Sequence, residues 1–429
     1  YIYIIYMEYN ELCSVVKECV DKCKIIDLHS HLFPQSFDDL YLIGIDNLLT
    51  YHYLVSELFI VWNDLSPSKF YKLSKECQAN IIWEELFIKR SPLSEACKGV
   101  ITTCIKLGLI QEIDNRDLDG IRSYFKSLKL NKQEYEAYTQ QIFEMSNIEY
   151  TIMTNQIFDL QEIKYLEKYE IPSQFKTSLR IDKLLFDFEN CCKFVNKFDY
   201  TPDIDGIKNY IRYWHKKIKP EYFMASLPFD FTYYQKDLNA KCFKMDSTNV
   251  IDFILVPLSI ELNLPIAFKF GTRRHLNPEL KDAGDSLGVA SVESLANLCS
   301  INKKCKFLAT FLSKVNQHQL CVVARNFQNL HIYGCWWYLN NPSLIEEITK
   351  MRLEMLGLGF TAQHSDARVL EQLLYKWTHS RQIIANVLIK KYDDLIESGW
   401  IVGKNEIKRD VYYLFRGSYE EFMKKKLIY

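Results

Sequence analysis

The chain has 429 residues, enough for two or three average domains or for one large barrel with insertions. Its 53 basic and 54 acidic residues leave a formal net charge of -1, so it lacks the electrostatic footprint of a nucleic-acid or anionic-membrane binder, and a small-molecule partner is expected. With 48% hydrophobic residues and no Pro- or Gly-rich linker, the composition excludes a disordered chain and supplies a large core.

In chain order, the first six residues, YIYIIY, are apolar but too short for a membrane span or a secretory segment, and Met7 looks like the natural start. Short apolar or β-branched runs then recur, separated by longer amphipathic stretches, which is the pattern of a parallel sheet with crossover helices. Eight such runs stand at 25–29, 148–154, 175–180, 221–227, 265–271, 306–312, 329–334 and 357–362. Eight strands joined by helices close into a (β/α)8 barrel, an α/β fold whose chemistry sits at the C-terminal ends of the strands, and residues 1–429 are expected to form this single domain. The long gap between the first two runs holds apolar residues at helical spacing, such as Leu48, Tyr51, Leu54, Val55 and Leu58, so 35–145 reads as a helical insertion over the barrel mouth. Residues 367–429 read as two or three helices, with breaks at Gly399 and Gly403. The thirteen cysteines include adjacent Cys191 and Cys192 but no CxxC, so reduced thiols and a cytoplasmic location are expected.

The residues with chemical potential follow from these positions. His29 and His31, one residue apart where the first strand runs out, can both reach one metal ion, since alternate side chains of a strand share a face and imidazole is the commonest metal-binding side chain. Asp366 follows the eighth strand, next to the first once the barrel closes, where a carboxylate suits both ligation and general-base work. Its other reading is the N-cap of a helix starting near Ala367. Arg180 ends the third strand, where its guanidinium can grip a carboxylate bidentately or pair with Asp182. Tyr53 can donate a hydrogen bond, shuttle a proton or simply pack a helix, and Trp336 and Trp337 can offer apolar ring faces to a pocket or serve as core. Arg368 can contact substrate or orient Asp366. No GxGxxG or Walker sequence is present.

The strand-1 histidines and the strand-8 aspartate resemble the amidohydrolase superfamily, and four further segments narrow the resemblance to uronate (glucuronate) isomerases. These are Tyr51-His52-Tyr53, Ser178-Leu179-Arg180-Ile181-Asp182-Lys183, Gly334-Cys335-Trp336-Trp337 and Ser365-Asp366-Ala367-Arg368, in family order across residues 25 to about 390. The resemblance implies a TIM barrel of the metal-dependent amidohydrolase type that converts a hexuronate to its keto form through a cis-enediol. It further implies one divalent ion, taken as zinc, on His29, His31 and Asp366, with no organic cofactor. Asp366, Tyr53 and Lys269 would be catalytic, and Arg180, His52, Trp336, Trp337, Arg368 and Asp230 would bind a sugar acid. Neither nucleic acid nor membrane is an expected partner, and a homo-oligomer is compatible with the family.

Two departures stand out. Lys269, before Gly271, occupies the strand-5 position where the family ordinarily has a histidine, and Phe229-Asp230 after strand 4 lacks the histidine that ordinarily follows the aspartate. Lys269 is also the best argument for the alternative, a metal-dependent hydrolase of an ester, lactone or amide, because a carbamylated barrel lysine can bridge two metals. Such hydrolases usually add histidines after strands 5 and 6, whereas His275 and His318 lie away from those positions.

Overall fold

The structure, a computed structural model, describes residues 7–128, 132–234 and 245–428. The expectation about residues 1–6 lies outside the described residues. The barrel strands are β1 (Ile25–Ser30), β2 (Ile148–Met153, resuming at Asn155–Gln156), β3 (Phe175–Lys176 and Leu179–Arg180), β4 (Phe223–Pro228), β5 (Ile266–Arg273), β6 (Phe307–Phe311) and β7 (Leu330–Ile332), with the short Ser286–Leu287 strand added antiparallel to the end of β5. β1 to β7 are parallel, and each pairs with the next in sequence: Ile26 with Tyr150, Asn155 with Leu179, Leu179 with Phe223, Met224 with Ala267, Ala267 with Leu308 and Leu308 with His331.

The run at 357–362 forms only the single bridge Tyr333–Thr361, because the preceding helix Pro342–Leu356 ends at Gly357 (φ 58°) and the chain must first turn. Hydrogen bonds nevertheless carry the ring to closure. Gly334 and Thr361 bond across from β7, Asp366 N donates to the His29 carbonyl at 3.0 Å, and His31 N donates to the Ala367 carbonyl at 2.7 Å. The molecule is therefore a (β/α)8 barrel.

Both faces of the strands are buried, as a sheet coated by helices requires. Ile26, Leu28, Ile152, Tyr222, Met224, Ala267, Leu308 and Tyr333 fill the barrel, and Tyr419 and Phe422 of the C-terminal helix Ser418–Lys424 join them. The alternate residues, such as Ile25, Leu179, Phe223, Phe268 and Phe307, pack outward against the helices. Short helices occupy much of 35–145, among them His52–Val61, Lys75–Trp83 and Glu95–Lys106, the last two capped by Ser74 and Ser94. Leu48, Leu54, Leu58, Ile82, Val100 and Ile121 give these helices an apolar cluster of their own. Ala283, beyond β5, and Val369, beyond Asp366, belong to the same cluster, so these helices dock at the C-terminal ends of the strands. Helix Gln372–Glu397 ends before Gly399 (φ 93°), and Lys404–Tyr412 starts after Gly403. Among the described residues no helix is long and apolar enough to cross a membrane.

Candidate active site

A β-bulge aims the two histidines. Asp27 is paired with Thr151 and Ser30 with Met153, so β1 spends one residue more than β2 between those pairs. Ile26 and Leu28 already face the barrel interior, and strict alternation would send His29 outward. The extra residue shifts the phase and brings His29 and His31 to the interior face. The Leu28 carbonyl is taken up by the Tyr222 hydroxyl from across the barrel, and Asp27 Oδ1 accepts from Ser365 N at 2.9 Å, which fixes the turn carrying Asp366. Asp366 itself has φ 51°, a conformation that an aspartate tolerates better than most residues.

The result is a compact cluster. His29 Nε2 lies 3.0 Å and His31 Nε2 3.5 Å from Asp366 Oδ1, and the potential ligand atoms of the three all fall within 4.8 Å of one another. His29 Nε2 is buried and turned toward the Asp366 carboxylate, and no other described residue takes up that nitrogen. Thr154 Oγ1 stands 3.1 Å from His31 Nδ1 and holds that ring with Nε2 toward Asp366. Burial pushes His29 well below its ordinary range and His31 down to about 4, so both are neutral at physiological pH. Burial opposes ionisation of Asp366, but Lys269 and the imidazoles outweigh it and hold the carboxyl well below its usual value. Two neutral imidazoles and one carboxylate fit a divalent metal ion.

Lys269 projects from β5 into the same space, with Nζ 3.3 Å from Asp366 Oδ1 and 4.4 Å above the Trp336 ring. Burial, offset in part by Asp366, pushes its pKa down to about 7. Arg180 Nε and Nη2 bond Asp182 at 2.8 and 3.4 Å. The pairing with Asp182 is thus formed, while Arg180 also lines the cavity and its Nη1 makes no hydrogen bond with a described residue.

One cavity of about 1070 Å³ gathers His31, His52, Arg180, Lys269, Trp336, Trp337, Asp366 and Arg368, together with Ser226, Arg274, Glu162 and Asp285. Trp337 is buried with φ 48°, an uncommon conformation for a bulky residue and one that marks a constrained site. Arg368 sits at the rim, half-exposed, 3.7 Å from Asp282. Tyr53 does not line this cavity; it faces a smaller one behind Trp337. Asp230 is a correction, being exposed and outside the cavity. Phe231 is buried beside it and Phe229 fills the space next to Gly288, so the turn places Asp230 in solvent. His275 reaches the rim but not the histidine pair, and His318 is exposed.

Sequence reasoning passed over His364. It is fully buried, edge-on to His29 with ring centroids 5.5 Å apart, and fits because Gly334 has no side chain. Its place two residues before Asp366 was the available signal. Glu371 was also missed. Its fully buried carboxyl accepts from Gly44 N and the Tyr138 hydroxyl, tying both ends of the helical segment to the chain just past Asp366, and burial pushes it up to about 7.

No protein-family model matches the chain, and no curated protein sequence does. Among solved structures it is similar to a uronate isomerase from Bacillus halodurans C-125, with 41% identity over 98% of this chain and 97% of that one and a TM-score of 0.90. The chain belongs to the uronate isomerase family. Two more distant structures share the fold of this uronate isomerase family member, each at 14% identity. They are a uronate isomerase from Thermotoga maritima (TM-score 0.73; 98% and 100% of the two chains) and a glucuronate isomerase from Caulobacter crescentus (0.78; 97% and 94%). The family places the chain among the aldose–ketose isomerases, and the hydrolase alternative is not favoured.

Proposed function

We propose that the protein interconverts a hexuronate and its keto isomer, D-glucuronate with D-fructuronate or D-galacturonate with D-tagaturonate, by moving a proton between C2 and C1 of the open-chain sugar acid. The observation that carries this reading is that one cavity is lined both by Arg180, with a free guanidinium edge, and by His31, Asp366 and Lys269, with His29 buried behind them against Asp366. A linear sugar acid needs both: a fork for its carboxylate and an acid/base centre at the carbonyl end.

Asp366, ionised, takes the C2 hydrogen as a proton while Lys269 supplies a proton to O1, giving the cis-enediol. Return of a proton to C1 with loss of the one on O2 completes the ketose. A lysine whose pKa lies at about 7 exchanges protons readily at neutral pH. Trp336 and Trp337 supply apolar faces against the sugar chain, and His52 and Arg368 border the space for its hydroxyls. A divalent ion on His29, His31 and Asp366 would supply Lewis acidity at the carbonyl end; zinc suits this donor set. The proton shift is redox-neutral and needs no organic cofactor. In this reading the partner is a small sugar acid rather than a nucleic acid or a membrane, and the enzyme works in the cytoplasm.

The test is to incubate the purified protein with a panel of hexuronates and measure ketouronate formation, with metal content determined on the same samples. Turnover of one or more hexuronates is expected. Hydrolysis of lactones or esters by a protein that leaves every hexuronate untouched would overturn the proposal.

A further inference from the structure

Behind the catalytic cavity lies a second, smaller one of about 200 Å³, enclosed between helices His52–Val61, Glu95–Lys106 and Gln372–Glu397. Its walls are mostly apolar, with Leu48, Leu54, Val100 and the Tyr375 ring. Into it projects Lys376, only 5% exposed, whose ammonium makes no hydrogen bond or ion pair with any described residue and lies 5.7 Å from the centre of the Tyr53 ring. A buried cation without a partner is costly, and a cation–π contact at that distance offsets little of the cost.

The acceptors of this cavity are largely engaged. Glu95 is bonded by the Tyr375 hydroxyl at 2.6 Å and lies 3.2 Å from His379 Nδ1, Asn340 Oδ1 accepts from His379 at 3.2 Å, and Gln372 Oε1 accepts from the Arg368 amide at 2.9 Å. Besides Lys376, the Tyr53 hydroxyl and the Trp337 indole N–H are buried without a partner, and the Tyr51 hydroxyl and the Gln372 side-chain amide donate no hydrogen bond to a described residue. The unmatched chemistry is therefore one positive charge and a few hydrogen-bond donors, set in mostly apolar walls.

We propose that this cavity is a binding site for a small organic monocarboxylate with a compact apolar body, its carboxylate on Lys376 and within reach of Tyr53 and Trp337, and its body against Leu48, Leu54 and Val100. A polyhydroxylated sugar acid is disfavoured as occupant, because most of its hydroxyls would face the apolar walls of Leu48, Leu54, Val100 and the Tyr375 ring. The volume is of the order that admits a single aromatic ring. Trp337 and Tyr51 line both this cavity and the catalytic one, so an occupant fixes part of the wall against which substrate is held. The site would thus let a carboxylate metabolite modulate the isomerase without competing for Arg180.

The probe is benzoate, titrated into the full-length protein and followed by tryptophan fluorescence and calorimetry, with and without saturating hexuronate. Saturable binding that persists in the presence of hexuronate is expected. Lys376→Met should weaken binding by about tenfold or more, the loss of a charge-assisted contact. Ala96→Leu, which fills the cavity without touching its polar groups, should abolish it and guards against a Lys376 variant that fails to fold. Absence of binding at millimolar benzoate, displacement by hexuronate in simple competition, or binding unchanged by Ala96→Leu would each overturn the proposal.

Discussion

Replacing Gly334 by alanine should destabilise the protein by roughly 2–5 kcal/mol, for two separable reasons. Gly334 has φ 66°, in the left-handed region, where an L side chain costs roughly 1–2 kcal/mol. The added Cβ would also lie 1.7 Å from His364 Nδ1 and 2.4 Å from Cε1, distances that no real contact sustains. His364 is fully buried, so it must be driven into its neighbours, an overpacking cost of about 1–3 kcal/mol. One of those neighbours is His29, so metal affinity and turnover should fall with stability. Urea unfolding of the wild type, Gly334→Ala, His364→Ala and the double variant separates the two costs. With His364 truncated the clash disappears, and Gly334→Ala should then cost only the backbone term, leaving a coupling of about 1–3 kcal/mol. Equal losses from Gly334→Ala in both backgrounds would refute the contact and leave backbone conformation as the whole effect.

Arg180→Lys should raise the barrier to turnover by roughly 2–4 kcal/mol in kcat/KM, because a point charge replaces a two-pronged contact to the substrate carboxylate, and near-normal kinetics would assign Arg180 to its pairing with Asp182 alone. Lys269→Met should cut turnover by about 10² or more while the folded content and bound metal, measured by circular dichroism and elemental analysis, stay as in the parent. The metal-stripped protein should take up one zinc ion per chain, with nitrogen ligands at about 2.0–2.1 Å by X-ray absorption, and His31→Ala should lose that uptake. Stability should also depend on pH through Glu371. The folded carboxyl keeps its proton up to about 7, whereas an unfolded glutamate releases it near about 4.3, so the folded state binds more protons in between and stability falls as pH rises through that window. Glu371→Gln should flatten this fall by up to about 3 kcal/mol in urea titrations across the window, and an unchanged slope would remove Glu371 as its source.

Much of this protein was legible in the order of its residues. Buried parallel strands must be apolar on both faces, so β1, β2, β4, β5 and β6 stand out as short runs of Ile, Phe, Leu and Met. The eighth strand was harder, since its run shrinks to one bridge at Thr361 once Gly357 and the following turn are spent. The histidine pair and Asp366 were visible because strand ends at a barrel mouth must converge. That His29 and His31 face inward, however, depends on the bulge between Asp27 and Ser30, and a one-residue shift of phase is invisible in a six-residue strand.

Fold class and the residues at the strand ends follow from local patterns of period and position, and so are written in the chain. Which of those residues share a space depends on how distant segments pack. That packing put Asp230 in solvent, seated His364 against Gly334, left one guanidinium edge of Arg180 open and turned Tyr53 toward the pocket of Lys376. The physical reason is that burial, clash and pairing are properties of neighbours distant in the chain. A charged residue such as Lys376 reads as a solvated helix position until three helices close around it.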